Sequence, residues 1–267
     1  IASSASMNTY NYSMVHFSTD SIYEESGVKY LSTALMRNED GEYGLFMELE
    51  NTSTQTVYVS VSDIGINGLT VYSSTWTGSS INPGKRCIID IDMSSVINSD
   101  FQEVYGINEI ASVSLSLTQS DTDGNEIVDE TPIEIIIPNV ESNLDLTGNE
   151  VYNNNGLTIV SKTILPDSSD DSSDIYVLML AKNNSGKMLS VDDEYDSLSV
   201  NGIMTDYIFD SLDINDGGSA AIIIELDSSS LENNSIMSVS DISDIEFTIE
   251  FEDENQTIDT PTISIQY

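Results

Sequence analysis

Residues 119–130 (QSDTDGNEIVDE) are the segment of the sequence that most resembles a metal-binding motif. In the twelve-residue calcium loop of helix-loop-helix proteins, positions three, five and twelve supply oxygen ligands. The residues at these positions are Asp121, Asp123 and Glu130, but position one is Gln119, position eight is acidic, and the flanks have strand-like alternation. The alternative interpretation is a hairpin turn, where Asp and Gly are favoured because they cap and bend the backbone. In either case loosely arranged carboxylates could bind Ca²⁺ weakly, and no other cofactor is indicated.

Two pairs of aromatic residues, each following an Asn-Gly dipeptide, are candidates for ligand binding. The pairs are Tyr72 with Trp76, and Tyr207 with Phe209. Exposed aromatic rings stack on sugars and anchor protein partners. The alternative is that the four rings fill the ends of β-domains, and exposure of Trp76 would favour ligand binding.

Residue types that commonly carry catalysis give no defined site. His16 is the only histidine. Cys87, the only cysteine, is interpreted as a small buried residue because the second copy has Ala220 or Ala221 at this place, and no histidine partner for a nucleophilic thiol is evident. The 46 acidic residues would allow a glycosidase-like pair almost anywhere, so none is singled out. Acidic clusters at residues 167–174 and 192–194 are predicted to be solvated loops. The sequence therefore predicts no enzyme, with a carboxylate-based hydrolase as the less favoured alternative.

Charge restricts the classes of partner. Seven Lys and Arg stand against 46 Asp and Glu, which gives a net charge of −39. This charge argues against nucleic acid and anionic membrane surfaces as partners, and it leaves cations and basic proteins. Hydrophobic residues are 39% of the 267, enough for a packed core, and no apolar run is long enough to cross a bilayer.

The sequence repeats itself at an offset of roughly 130 residues. The clearest matched segments are Asn51-Thr52-Ser53 with Asn183-Asn184-Ser185, and Ile66-Asn67-Gly68 with Val200-Asn201-Gly202. Asn-Gly is a strong hairpin signal because both residues tolerate positive φ. A Ser-rich stretch follows in each copy, where Asp92 or Asp227 could cap a short helix.

Each copy contains about seven short strands separated by turns and no long helical periodicity. This pattern predicts an all-β protein of two tandem antiparallel β-sandwich domains, immunoglobulin-like in topology and related by internal duplication. The predicted organisation is a polar lead-in at 1–19, a first domain at 20–138, a linker at 139–149 and a second domain at 150–267.

The repeated unit combines a strand, the Asn-Gly turn, an aromatic segment, a glycine turn, a Ser-rich turn and the strand DIEF at residues 244–247. In these features it resembles the exported tandem β-domain repeats of uncharacterised surface and lipoprotein-like proteins from Gram-positive gut bacteria. The resemblance implies an extracellular or cell-surface location. The start at Ile1-Ala2-Ser3, without Met, is interpreted as the result of signal-peptide removal.

These observations predict a non-catalytic cell-surface or exported module that acts as a spacer, presents another group or binds a protein partner. The alternative is a module that binds glycans or calcium-bridged ligands through the aromatic residues and acidic loops. Neither interpretation includes nucleic acid or membrane insertion of this segment.

Overall fold

The computed structural model describes residues 12–39, 41–71, 77–94, 96–166, 174–253 and 256–267. Strands account for 58% of the described residues, which also form two short α-helices and one 3₁₀ turn. The all-β prediction is therefore confirmed, and the fold is sandwich-like. No helix within these ranges is long and apolar enough to cross a membrane.

The chain divides into two compact units. The first consists of Ile1–Asn67 and Ser73–Asn143, and the second of Gly68–Tyr72 and Leu144–Tyr267. The strands up to residue 143 are, in chain order, β1 (Ser13–Ser18), β2 (Glu24–Glu25), β3 (Val28–Arg37), β4 (Tyr43–Asn51), β5 (Val57–Ile66), β6 (Leu69–Val71), β7 (Thr77–Ile81), β8 (Arg86–Asp92), β9 (Ser112–Ser120) and β10 (Glu126–Ile136).

The first unit arranges its strands in two antiparallel sets. One has the order β1-β3-β4-β8, with β2 also paired to β3. The other has the order β7-β5-β9-β10. Along β9, Val113, Leu115 and Leu117 are buried while the residues between them are not, as expected for a half-buried strand.

A short helix, α1 (Ser99–Val104), follows β8 in the first unit. Its N-cap is Asn98, whose Oδ1 accepts a hydrogen bond from the Phe101 N–H at 2.9 Å. The prediction that Asp92 caps this helix is wrong. Asp92 Oδ1 instead accepts from the N–H and hydroxyl of Ser94, at 3.0 and 2.7 Å, and so closes a separate turn ahead of the helix.

The strands of the second unit beyond residue 143 are β11 (Asn149–Asn154), β12 (Leu157–Pro166), β13 (Ile175–Asn183), β14 (Leu189–Asp193), β15 (Ser199–Val200), β16 (Ile203–Met204), β17 (Tyr207–Phe209), β18 (Leu212–Ile214), β19 (Ser219–Leu226), β20 (Asp244–Asp253), β21 (Gln256–Asp259) and β22 (Thr262–Gln266). They are accompanied by α2 (Ser228–Asn233) and a 3₁₀ turn at Val239–Asp241. Asp227 caps α2 by accepting from the Ser230 N–H at 2.7 Å, so this predicted cap is confirmed.

One set of strands in the second unit has the order β11-β12-β13-β19, and β19 also pairs with β17 and, in parallel, with β6. The other has the order β16-β15-β20-β14-β18, with β21 and β22 also on β20. Both sets supply buried residues to one hydrophobic core, for example Ile159 and Val177 from the first and Val191 and Phe247 from the second.

The Asn-Gly dipeptides at residues 67–68 and 201–202 adopt the backbone conformation that the sequence predicts. Asn67 and Gly68 have φ of 55° and 80°, and Asn201 and Gly202 have φ of 52° and 75°. Each asparagine side chain also fixes a neighbouring loop. Asn67 Oδ1 accepts from Ala111 N–H at 2.7 Å, and Asn201 Oδ1 accepts from Ser243 N–H at 2.8 Å.

Candidate functional site

Of the four predicted aromatic residues, Tyr72 and Trp76 lie outside the described residues. Tyr207 and Phe209 are on β17, and both rings are partly buried against the core of the second unit. The Tyr207 hydroxyl donates to the Asp193 carboxylate and lies 3.2 Å from the Glu194 carbonyl oxygen. Burial, followed by Asp193, raises the pKa of Tyr207 to about 12. These two rings therefore pack against the core of the second unit.

The most exposed aromatic residue of this region is Tyr195, which sequence reasoning did not select. Its relative exposure is 85%, and it lies in a turn closed by the Ser197 N–H donating to the Glu194 carbonyl at 3.1 Å. Because Glu194 is also within hydrogen-bonding distance of the Tyr207 hydroxyl, the Tyr195 turn is held against β17. In the sequence, the feature that could have pointed to Tyr195 is its position directly after the acidic residues 192–194.

The acidic residues of that cluster belong to ordered structure. Asp192 and Asp193 end β14, and the Glu194 N–H donates to the Thr248 carbonyl at 3.1 Å. The prediction of a solvated loop is therefore wrong for residues 192–193, because β20 pairs with them. In the other predicted loop, residues 167–173 lie outside the described part, and Asp174 Oδ1 accepts from the Ser228 N–H at 3.0 Å.

The proposed calcium ligands Asp121 and Asp123 lie in the turn between β9 and β10. Asp121 accepts hydrogen bonds from the Asp123 N–H, the Asn125 N–H and the Asn125 Nδ2, at 2.8 to 2.9 Å, and these bonds lower its pKa. Glu130 lies farther along, within β10. Within the described ranges, no three His, Cys, Asp or Glu residues converge closely enough to hold a metal ion. The Asp121 carboxylate is thus engaged in shaping the turn.

His16 and Cys87 are both on strands of the first unit. His16 is opposite Leu35 in the β1–β3 pair, and Cys87 is opposite Leu49 in the β4–β8 pair. Burial raises the pKa of the partly buried Cys87 thiol. Because only the thiolate is nucleophilic, this environment opposes covalent catalysis.

Asp210 is a described carboxylate that has one property required for acid catalysis. It is partly buried, and this burial raises its pKa. A glycosidase mechanism also requires a second carboxylate across the scissile bond. The described contacts pair Asp210 with no such group.

The second unit exposes the apolar side chains of Ile203, Met204 and Met237. The first two are on β16 and the third is in the segment after α2, and hydrogen bonds connect these two parts of the chain. Their relative exposures are 47%, 58% and 73%. Ile203 and Met204 form β16, the edge strand of the hairpin that turns at Asn201-Gly202. As consecutive residues of a strand, Ile203 and Met204 project from opposite faces of β16. We call these three residues together the apolar surface.

The hairpin and the segment after α2 are joined by two connections. Asn234 Nδ2 donates to the Met204 carbonyl at 3.1 Å, and Asn201 Nδ2 donates to the Asp241 carbonyl at 2.8 Å. The Asp241 carboxylate accepts in turn from the Met237 N–H at 3.0 Å, and this bond contributes to its lowered pKa. These bonds fix the backbone that carries all three apolar side chains. The sequence pattern alone gave no indication of the surface, because residues 203 and 237 are far apart in the chain.

The apolar surface lies in a region of uniform charge. The sequence has no Lys, Arg or His from residue 188 to residue 267, whereas Asp and Glu recur throughout this stretch. Exposed acidic residues close to the surface in sequence include Asp206 and Glu232. This stretch of the sequence therefore carries only negatively charged side chains.

No protein-family model matches the chain, and no curated protein matches it. Solved structures with some likeness include a protein of unknown function from Porphyromonas gingivalis W83, at 13% identity, covering 85% of this chain and 92% of that one, with a TM-score of 0.23. The YadV chaperone is 10% identical over 84% of this chain and 92% of its own, with a TM-score of 0.24. A bacterial ice-binding adhesin is 13% identical over 85% and 57%, with a TM-score of 0.21. Similarity at this level carries no argument about function.

Proposed function

We propose that the chain is a non-catalytic cell-surface or exported module that binds or presents a protein partner. The observation that carries this proposal is the apolar surface of Ile203, Met204 and Met237. The second unit buries a continuous core of more than twenty apolar residues, yet leaves these three exposed on a hydrogen-bonded scaffold, in addition to other exposed apolar residues such as Met188 and Ile208. Grouped exposed apolar side chains with a polar surround are typical of protein interaction sites.

We further propose that the two units are immunoglobulin-like sandwiches related by duplication. Their strand orders support this relation. The first unit has the strand orders β2-β3-β4-β8 and β7-β5-β9-β10. These correspond, in the same sequence of strands, to β11-β12-β13-β19 and β18-β14-β20-β21 in the second unit.

Matched buried asparagines support the same relation. Asn51 Nδ2 donates to the carbonyls of Gln55 and Ile81, and Asn183 Nδ2 donates to those of Lys187 and Ile214, all at 2.7 Å. A repeated module of this kind gives a stable support from which one unit can present an interaction surface.

A cell-surface location rests on the resemblance of the repeat to exported proteins of Gram-positive gut bacteria. It is tested by labelling intact cells of the source organism with an antibody against the chain, before and after protease treatment of the cells. Labelling that protease removes is expected. Labelling that appears only after the cells are broken would contradict the location.

Partner binding is tested by crosslinking. In a Cys87→Ser background, a photoreactive benzophenone is attached at Ile203→Cys, and the protein is illuminated on intact source cells. A discrete crosslinked product is expected. The matched control places the probe at Ile136→Cys, which is 63% exposed in the first unit. Equal products from both positions, or none from position 203, would overturn partner binding at this surface.

The second candidate function is ligand binding, and the 85% exposure of Tyr195 favours it. An exposed ring beside the carboxylates of Asp193 and Glu194 offers a stacking face and hydrogen-bond acceptors to a sugar. Calcium-bridged binding is tested by following the melting temperature during a calcium titration with a chelator control, since a bound ligand stabilises the native state. An unchanged melting temperature at millimolar calcium would contradict calcium-bridged binding and would favour a module that acts without metal.

A further inference from the structure

The hairpin between β11 and β12 turns at a third Asn-Gly dipeptide, Asn155-Gly156, whose side chain is held differently from those of the two described above. We propose that Asn155 is a site of spontaneous deamidation, in which the Gly156 nitrogen is the nucleophile and water is the second reactant. The product carries a carboxylate where the Asn155 amide now donates to Asp259. This modification is independent of the proposed partner binding.

The reaction proceeds through a succinimide ring. The backbone nitrogen of Gly156 gives up its proton and attacks the side-chain carbonyl carbon of Asn155, so that a C–N bond forms to this carbon. The bond from the same carbon to Nδ2 breaks, and Nδ2 leaves as ammonia with the proton that Gly156 lost. Water then opens the ring at either carbonyl, which gives aspartate or isoaspartate. Glycine favours the attack because it has no Cβ to shield its nitrogen.

The three Asn-Gly turns offer similar backbone angles to this reaction. Asn155, Asn67 and Asn201 have φ of 52°, 55° and 52°, and the glycines that follow them have φ of 81°, 80° and 75°. Because these angles are alike, a difference in rate has to arise from how each asparagine side chain is held.

The side chains of Asn67 and Asn201 are each fixed at both polar atoms. Asn67 Oδ1 accepts from two N–H groups of the loop at residues 109–112, and its Nδ2 donates to a carbonyl of that loop, at 2.7 to 3.1 Å. Asn201 makes the same set of bonds to the loop at residues 241–244, at 2.8 to 3.2 Å. Either side chain has to break these bonds before its carbonyl carbon can reach the glycine nitrogen, and Asn67 is also buried. The two loops therefore slow deamidation.

Asn155 lacks such a loop, and both Asn155 and Gly156 are exposed. Asn155 Nδ2 donates to the Asp259 carboxylate at 3.3 Å, and the amide also interacts with the Tyr152 hydroxyl. Both contacts are with side chains, and no backbone group of the described residues holds this amide. A Cβ at position 156 would lie 2.5 Å from the Ser185 Cα, so the fold requires glycine in this turn. The reactive dipeptide is therefore both accessible and built into the hairpin.

Deamidation brings two carboxylates together where an amide now donates to one. The Asp259 carboxylate also accepts from the Tyr152 hydroxyl at 2.7 Å and from Asn154 Nδ2 at 3.5 Å, so it is held in place beside the new charge. Because like charges repel at this separation, the modified turn is expected to contact the end of β21 less firmly.

The test is incubation of the full chain in a mildly alkaline buffer, with and without enough urea to unfold it, followed by peptic digestion and mass spectrometry. In the folded chain Asn155 is expected to deamidate about tenfold faster than Asn67 or Asn201, since losing one hydrogen bond corresponds to a factor of this size. In urea the three rates should converge. Equal rates in the folded chain would overturn the inference, and so would the same order of rates in urea.

The products and a neighbouring residue test the chemistry. In water labelled with the heavy isotope of oxygen, the succinimide route is expected to give aspartate and isoaspartate that each carry one labelled atom. Asn154 is the internal control, because it is exposed in the same hairpin but is followed by Asn155. Deamidation of Asn154 at the same rate as Asn155, or a product without isoaspartate, would overturn the role of Gly156.

Two variants test the effect of the new charge. Asn155→Asp mimics the aspartate product, and Asn155→Gly removes the same donor without adding charge. Added salt is expected to raise the urea midpoint of Asn155→Asp more than that of Asn155→Gly, because salt screens the repulsion from Asp259. An equal salt dependence in the two variants would overturn this consequence of deamidation.

Discussion

Two buried asparagines, Asn51 and Asn183, each close a turn that joins three segments of their unit. Asn183 Oδ1 accepts from the Ser185 N–H at 2.9 Å, while its Nδ2 donates to the Lys187 and Ile214 carbonyls. Because the side chain is fully buried, Asn183→Ala would leave these groups without partners. We expect a loss of about 2–4 kcal/mol in the free energy of unfolding, measured by urea denaturation.

The matched control is Asn184→Ala, since Asn184 is the next residue and is exposed. It is expected to change stability by less than about 0.5 kcal/mol, as is usual for surface substitutions. If the two substitutions cost the same, the hydrogen bonds of Asn183 do not determine the stability of this turn.

The core of the first unit contains hydrogen-bonded polar side chains. Gln119 Nε2 donates to the Tyr23 hydroxyl at 2.5 Å and to the Glu25 carbonyl at 3.1 Å. In the second unit Tyr152 instead packs on Phe251, with ring centroids 5.2 Å apart. Within the described residues, neither the Tyr30 hydroxyl nor Gln119 Oε1 has a hydrogen-bond partner, although both are buried.

Removing the Tyr30 hydroxyl, which has no hydrogen-bond partner among the described residues, should therefore not destabilise the protein. Tyr30→Phe is expected to leave the unfolding free energy unchanged or to raise it by up to about 1 kcal/mol, because a buried hydroxyl without a partner is unfavourable. Tyr23→Phe, which removes an acceptor from Gln119, is expected to lower it by about 1–2 kcal/mol. Chemical denaturation of both variants decides the matter, and a destabilising Tyr30→Phe would mean that its hydroxyl is paired.

At the residue scale, the sequence predicted what depends on local conformation. The positive φ angles of the Asn-Gly turns follow from the two residue types themselves. The packing of Tyr207 and Phe209 does not, because it depends on β19, which pairs with β17 from elsewhere in the chain. The exposure of Tyr195 and of Met237 was not predictable for the same reason.

At the element scale, Lys162 fixes the segment that leads into β11. Its side chain is 4% exposed, and its Nζ donates to the carbonyls of Asp145 and Thr147, at 2.9 and 2.6 Å. The Asp145 carboxylate lies 3.1 Å from the same Nζ and also accepts from the Thr147 N–H and hydroxyl. These bonds tie residues 145–147, which the sequence assigned to a linker, to β12.

These contacts make the attachment of this segment sensitive to acid. The hydrogen bonds from Thr147 and then Lys162 lower the pKa of Asp145 to about 2, so the folded state favours the ionised carboxylate. Its contribution to stability is present above the ordinary pKa near 4 and is lost as the pH falls through about 2. Between pH 5.5 and pH 2.5, Asp145→Asn should therefore lose less unfolding free energy than the wild type. A parallel decline in both proteins would contradict this role.

The strands were largely predictable because apolar and polar residues alternate along them, as in β9 and β20. The helix caps were predictable only in part. Asp227 lies directly before α2, whereas Asp92 is separated from α1 by a turn that Ser94 stabilises. Asp92 ends β8 and Asp227 directly follows β19, so the difference arises from the residues after them.

At the scale of the whole molecule, tyrosines set an alkaline limit to stability. Burial, and then Asp259, raises the pKa of Tyr152 to about 12, and Tyr207 has a similar value. Unfolded tyrosine ionises near pH 10, so stability is full below that pH and falls as the pH rises towards 12. Urea midpoints at pH 8 and 11.5 should show this loss, and Tyr152→Phe with Tyr207→Phe should reduce it. An undiminished loss in the double variant would assign the alkaline transition to other groups.

The net charge of −39 sets the acidic limit to solubility, since like charges keep copies of the chain apart at pH 7. As the pH approaches the sequence pI of about 4.1, this repulsion disappears and the apolar surface becomes free to associate. Light scattering is expected to rise near pH 4 and to rise less for the variant with serine at positions 203, 204 and 237. Unchanged scattering through pH 4 would show that repulsion is not what keeps the molecules separate. An equal rise in wild type and variant would show that charge, and not the apolar surface, governs association.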